Sequence, residues 1–156
     1  MQTLIRFVVL MALGFGSWVF AGSELVGRVP VLPDEKVPGY LARIELNDPL
    51  EVEAALQRAE DVYLSDEIPE NVPPVVFVLH GPEVAVFQKH NYQRYKPIVD
   101  LAARLSAFRV VDIRICRTQL YSLGGGEQEL HPFVGTVPYG PAEVQRLLDV
   151  EHYVYF

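Results

Sequence analysis

The chain has 156 residues, a formal net charge of -7 and 50% hydrophobic residues, enough for one domain with a buried core and too little for two comfortable ones. There is no run of Lys and Arg, so the electrostatic footprint of a nucleic-acid-binding protein is missing. The acidic balance also disfavours anionic membranes and polyphosphates as partners, and the single cysteine, Cys116, excludes an intrachain disulfide framework.

The N-terminus, "MQTLIRFVVLMALGFGSWVFAGSELVG", has Arg6 as a short positive region followed by an apolar stretch from Phe7 to Phe20. Val19 and Ala21 are small residues where a signal peptidase prefers them, which predicts a signal peptide over 1–21 cleaved after Ala21. The alternative is an uncleaved membrane anchor, for which the apolar run is short against a span of roughly 20 residues. The expected mature protein is periplasmic or otherwise exported, without a stable membrane anchor. An oxidising compartment selects for paired cysteines or none. A lone thiol there means intermolecular pairing, a buried inert side chain or a reactive group.

Residues 22–39 carry Pro30, Pro33 and Pro38 without periodicity and read as an extended arm. The domain proper runs over 40–156. "YLARIEL" (40–46) alternates like a strand. Asp48 as N-cap, Pro49 at N1 and Glu51 at N3 then open a helix in the manner of a capping box. Its stripe is Val52, Leu56, Ala59 and Tyr63. A polar, Pro-rich loop (64–74) leads to "VVFVLH" (75–80), an apolar run typical of a strand buried on both faces. Gly81-Pro82 starts a short helix through Val84 and Phe87. "KHNYQRY" (89–95) reads as an exposed connection. Pro97 at N1 opens a helix with Ile98, Leu101, Ala102 and Leu105 inward. "VVDIRIC" (110–116) is a strand, and "RTQLYSL" (117–123) a short helix stopped by Gly124 to Gly126. "FVGTVP" (133–138) is the fourth strand. Gly140-Pro141 starts a helix with Val144, Leu147 and Leu148 inward, and "HYVYF" (152–156) is the last strand.

Strands alternating with helices predict an α/β fold with a parallel sheet covered on both faces. Right-handed crossovers put the C-terminal strand ends on one edge, where ligands bind in such folds. The residues delivered to that edge are Asn47 and Asp48, His80 and Gly81, Cys116 and Arg117, and Pro138 and Tyr139.

"VVFVLHGPEVAVF", "YKPIVDLAARLSAF", "VVDIRICRTQL" and "ELHPFVGTVPYGPAEVQRLL" together resemble the DsrE/DsrF-like family of sulfur-relay proteins, in its exported branch. The resemblance covers most of residues 40–156. It implies a three-layer α/β/α sandwich with a five-stranded, mainly parallel sheet of DsrEFH-like type. It also implies homo-oligomers, often trimers or hexamers. In such proteins a cysteine carries sulfur as a persulfide between a donor and an acceptor, with no cofactor. Cys116 matches the cysteine commonly found at the end of the third strand. The chain departs from the family's pattern at Arg109 and His152, where relatives usually have Gly.

For Cys116, a strand end that opens a helix and lies near Arg114 and Arg117 favours the thiolate. A thiolate can attack a sulfane sulfur and leave again. The alternative is a small buried hydrophobe. Strand alternation puts Asp112, Arg114 and Cys116 on one face. Arg117, and His80 as base or imidazolium partner, are the expected helpers of the thiol. Gly81, Tyr139 and Asn47 are candidates to line the substrate edge, with His131, Tyr92 and Tyr95 as further edge residues or ordinary loop residues. A zinc site from Cys116, His80 and His131 lacks the short-spaced ligand pair of structural zinc, so no metal is expected. "GGGE" (124–127) follows a helix and lacks a Lys-Ser/Thr, so it is no phosphate loop. The competing reading of the whole chain is a non-catalytic oligomeric binding module with a structural cysteine.

Overall fold

The computed structural model describes residues 37–65 and 72–156. The predicted signal segment 1–21, most of the arm, and residues 66–71 of the Pro-rich loop lie outside the described residues. In chain order the elements are β1 (Tyr40–Leu41), α1 (Pro49–Leu64), β2 (Val75–Leu79), two 3-10 segments (Pro82–Phe87 and Lys89–Asn91) and α2 (Tyr92–Ala107). They continue with β3 (Val111–Cys116), α3 (Arg117–Ser122), a 3-10 turn (Glu127–Glu129), β4 (Gly135–Val137), α4 (Gly140–Asp149) and β5 (Val154–Tyr155).

The start of α1 follows from its cap. The Asp48 side chain accepts the Glu51 backbone N–H at 2.9 Å, and Pro49 loses nothing at N1 because its missing donor would be unpaired there anyway. Glu51 does not close the reciprocal half of a capping box. Its carboxylate instead accepts the backbone N–H groups of Glu45 and Leu46 at 2.7 Å and of Asn47 at 3.1 Å. This pull on residues 45–47 explains why β1 is two residues long and not the seven of the alternating stretch. The chain leaves the sheet after the Ala42 N–H has bonded the Val76 carbonyl at 2.8 Å.

The other corrections are also local. Helix α2 begins at Tyr92, ahead of Pro97, and breaks its helical dihedrals at Tyr95 (φ -113, ψ 20). Proline cannot donate into the preceding turn and crowds it, so a regular helix resumes only around the proline. β4 and β5 are shorter than their apolar runs, at three and two residues.

The sheet is parallel throughout, in the order β4-β3-β2-β1-β5. β1 to β4 step one way across it, so right-handed crossovers place α1, α2 and α3 on one face. The return from β4 to β5 reverses direction and places α4 on the other. The result is a three-layer α/β/α fold. The α1–α2 face of the sheet carries Phe77, Leu79, Ile113 and Ile115, each 0% exposed. The α4 face packs Leu41, Val76, Val78 and Val137 against Leu147, with Val144, Leu148 and Tyr153 at its margin. Asp112 and Arg114, charged residues in a core strand, are accounted for on this face. Arg114 donates to Asp112 at 2.7 Å and to Glu143 of α4 at 2.5 Å, which ties α4 to β3.

Two helix ends use the same closing geometry with different residues. In α3, Gly124 sits at φ +76 while the Gly125 N–H bonds the Leu120 carbonyl. In α2, Arg109 takes the corresponding left-handed position at φ 59, with its N–H on the Ser106 carbonyl and the Val110 N–H on the Leu105 carbonyl. That is a Schellman motif with an arginine where glycine is preferred. His152 is likewise left-handed, at φ 56. Both side chains are exposed, so nothing visible compensates the crowding of Cβ. These are the two positions where the family resemblance expects glycine. Arg109→Gly and His152→Gly should each stabilise the protein by about 1 kcal/mol, the left-handed penalty outweighing glycine's extra chain entropy. Urea denaturation tests this, and a fall in either midpoint would contradict it.

Candidate functional site

The chain leaves β3 toward one face, into α3, and leaves the neighbouring strand β4 toward the other, into α4. Between β3 and β4 the connections therefore part, and in open α/β sheets the crevice at such a reversal is where ligands bind. Cys116 is the last residue of β3, and Tyr139 and Gly140 follow β4 after Pro138. The β2–β3 register pairs Leu79 with Ile115. His80 and Cys116 are thus lateral neighbours at the strand ends.

Gly140, the first residue of α4, brings these parts together. A Cβ built on it would stand 2.5 Å from His80 Cβ, 3.2 Å from His80 Cγ and 3.1 Å from Cys116 Cβ. The helix can enter this close to the sheet only because glycine offers no side chain. Thr118 Oγ1, in the first turn of α3, donates to the Pro138 carbonyl at 3.0 Å. This bond spans the point where the two connections part. Cys116 is 2% exposed. His80 is half-buried and Tyr139 is 54% exposed. Of the predicted residues, then, the fold brings Cys116, His80 and the Tyr139 turn to one place.

The two guanidinium groups near Cys116 in sequence already have carboxylate partners. Arg117 lies 3.5 Å from Glu127, and Arg114 is held by Asp112 and Glu143. Glu127 also accepts from Thr136 at 3.0 Å and from Tyr121 at 3.2 Å. These contacts, the Thr136 hydroxyl foremost, hold its carboxyl below the usual range.

Asn47 and Gly81 meet each other. A Cβ on Gly81 would stand 2.6 Å from Asn47 Cβ and 2.6 Å from Glu83 Oε2. The space above Gly81 is therefore filled by protein. Glu83 is 0% exposed. Its Oε1 accepts the backbone N–H groups of His80 at 2.8 Å and Gly81 at 2.9 Å, fixing the turn that carries His80. Glu83 and Gly140 were not among the residues singled out by sequence. The signal for Glu83 is a solitary acid in the apolar run "PEVAVF".

His131 lies between the rings of Tyr92 and Phe133, at centroid distances of 5.7 and 5.8 Å. Burial, and secondarily the Lys89 ammonium, push its pKa below 6.5 against an opposing pull from Asp100. Tyr92 is turned to Asp100, to which its hydroxyl donates at 2.8 Å, and the Tyr95 ring sits under the Arg94 guanidinium at 5.2 Å. Among the described residues no three His, Cys, Asp or Glu side chains come together as metal ligands. In the glycine run, Gly124 closes α3. Gly125 passes under Gln88, whose Nε2 would lie 2.1 Å from a Cβ there.

No family model matches the chain, and no curated protein matches it. Among solved structures the chain is similar to a protein of unknown function, MTH1491, from Methanobacterium thermoautotrophicum. The TM-score is 0.52 at 18% identity, over 75% of this chain and 93% of that one. At that identity the likeness establishes the shared fold.

Two outcomes follow from the site's packing. Gly140→Ala should cost about 1–3 kcal/mol by overpacking. His80→Ala should not relieve the cost, because it keeps the obstructing Cβ, whereas His80→Gly should recover part of it in the same urea assay. His131 should titrate below 6.5 by NMR. As pH falls through 6.5 the unfolded chain takes up this proton first. Stability therefore declines below pH 6.5, and the decline ends once the folded value is passed. A His131 midpoint above 6.5 would overturn this reading of its surroundings.

Proposed function

We propose that this chain is an exported DsrE/DsrF-like sulfur carrier, self-associating as that family does, with Cys116 as the thiol that holds the sulfur. The observation that carries the reading is the position of the only cysteine. It ends β3 at the reversal point of the sheet, with the His80 imidazole rooted on the neighbouring strand end. In this scheme Cys116 Sγ attacks the outer sulfur of a donor persulfide, R–S–SH. A new S–S bond forms to Cys116 and the donor's S–S bond breaks. The electron pair leaves on R–S⁻, which is protonated to R–SH. His80 accepts the Cys116 proton and returns it to the leaving thiolate. The sulfane sulfur keeps its oxidation level, so no outside oxidant or reductant takes part. Sulfur then passes on by the same exchange with an acceptor thiol. Arg117, paired with Glu127, assists only where that pair opens.

One observation favours a different reading. Cys116 is 2% exposed, as a packing cysteine is. In that case the sheet edge belongs to a non-catalytic binding module. Transfer through a buried thiol requires a local opening around Cys116, and the Tyr139–Gly140 turn, which packs against Cys116 Cβ, is the segment we propose moves. Intact mass after brief exposure to polysulfide separates the two readings. The carrier gains the mass of sulfur atoms, loses it to reductant, and gains none as Cys116→Ser. Native protein that gains nothing, while unfolded protein labels readily, makes Cys116 a core residue and leaves the binding module.

A further inference from the structure

Two buried acceptors close to Gly81 have no donor. Asn47 Oδ1 and Glu83 Oε2 are both hidden from water and lack a hydrogen-bond partner among the described residues. Asn47 Cγ and Glu83 Oε2 lie 2.8 and 2.6 Å from the same point above Gly81. Buried polar groups are paired in native proteins, and an unpaired one forfeits the hydration it had in the unfolded chain. The amide of Asn47 is planar and keeps its shape when turned over, so hydrogen bonding decides which end carries the nitrogen. Turned, Nδ2 takes the buried place of Oδ1, on the side of Gly81 that Glu83 Oε2 also lines. What is given up is an exposed bond from Nδ2 to the Glu45 carbonyl, 3.3 Å long, and Oδ1 then stands against that carbonyl, an acceptor–acceptor contact on the solvent-exposed side where water can hydrate both oxygens.

We infer that Asn47 Nδ2 donates to Glu83 Oε2 and that the pair is a latch positioning His80. The parts on either side are already in place. Asn47 is held left-handed at φ 53, a conformation asparagine tolerates better than most residues, and its backbone N–H is bound by Glu51 Oε2 at 3.1 Å. On the other side Glu83 Oε1 takes the N–H groups of His80 and Gly81. A continuous path of hydrogen bonds thus runs from the first turn of α1, through the β1–α1 loop, to the backbone of the histidine beside Cys116. Asn47 and Glu83 touch no reacting atom in this scheme. They are positioning residues, and the latch stands whether or not Cys116 carries sulfur.

Reversal of the pair tests it. In N47D two carboxylates face each other in a buried site, and the unfolding equilibrium constant at pH 8 should rise about 100-fold or more. E83Q alone should cost less, because Oε1 keeps both backbone N–H groups and the Asn47 amide turns back to accept from the new Nε2. In N47D/E83Q donor and acceptor exchange places, and the constant should recover by about tenfold or more relative to N47D. The His80 imidazole resonances should move in N47D and return in the double variant. A double variant no more stable than N47D, or an N47D within tenfold of the native protein, overturns the latch. Thermodynamic rescue with unmoved His80 resonances overturns its positioning role. Failure of the native protein to accept sulfur sinks the carrier reading and leaves this cycle intact.

Discussion

The architecture turns on the contact between Gly140 and the ends of β2 and β3. To place β5 beside β1, the chain must cross the whole sheet after β4, and it does so with a single ten-residue helix. Among the described residues that helix is the one element on this face of the five-stranded sheet, and it lies close. Leu147 anchors it in the apolar cluster and the Arg114–Glu143 pair ties it to β3. Its first residue comes down onto His80 and Cys116. The reversal that completes the fold therefore also brings α4 against the strand end that carries Cys116.

This edge of the sheet is braced by carboxylates turned onto backbone N–H groups. Glu51 gathers three of them from residues 45–47, and Glu83 gathers two from His80 and Gly81. Loop backbone near a buried strand end cannot leave its donors unpaired. A carboxylate with two oxygens satisfies several at once, and charged acceptors make the stronger bonds. Acids in this region thus serve the backbone first, and the surface charge of the chain is a poor guide to them.

Much of this was legible in the sequence. The cap at Asp48, the buried stripe of α2, the continuous apolar β2 and the placement of Cys116 at a strand end all rest on local patterns that tertiary contacts reinforce. The lengths of β1, β4 and β5 were not legible, because strand length depends on the partner strand and on what pulls the chain away, as Glu51 does at residues 45–47. Asn47 and Gly81 were placed at the right edge for the wrong reason: they fill each other's space. Gly140 has an unremarkable dihedral, and its need for a missing side chain comes wholly from His80 and Cys116, residues distant in sequence. Arg109 and His152 show the reverse case, left-handed backbone carried by residue types that give no sign of it in the sequence.

Burial of Cys116 bears on how a lone thiol survives. A group reached only through a local opening that costs about 3 kcal/mol reacts at roughly one part in 150 of its exposed rate. If the chain is exported, as its first residues read, that factor slows adventitious oxidation and mixed-disulfide formation together. It slows a small sulfur donor equally, unless the donor or an acceptor protein binds the open form better than the closed one. Selectivity would then reside in the turn at Tyr139 and Gly140 rather than in the thiol. A partner that grips the exposed Tyr139 ring and draws the turn away from Pro138–Thr118 would open the thiol to itself alone, since a ligand shifts such an equilibrium only by its differential affinity for the two states.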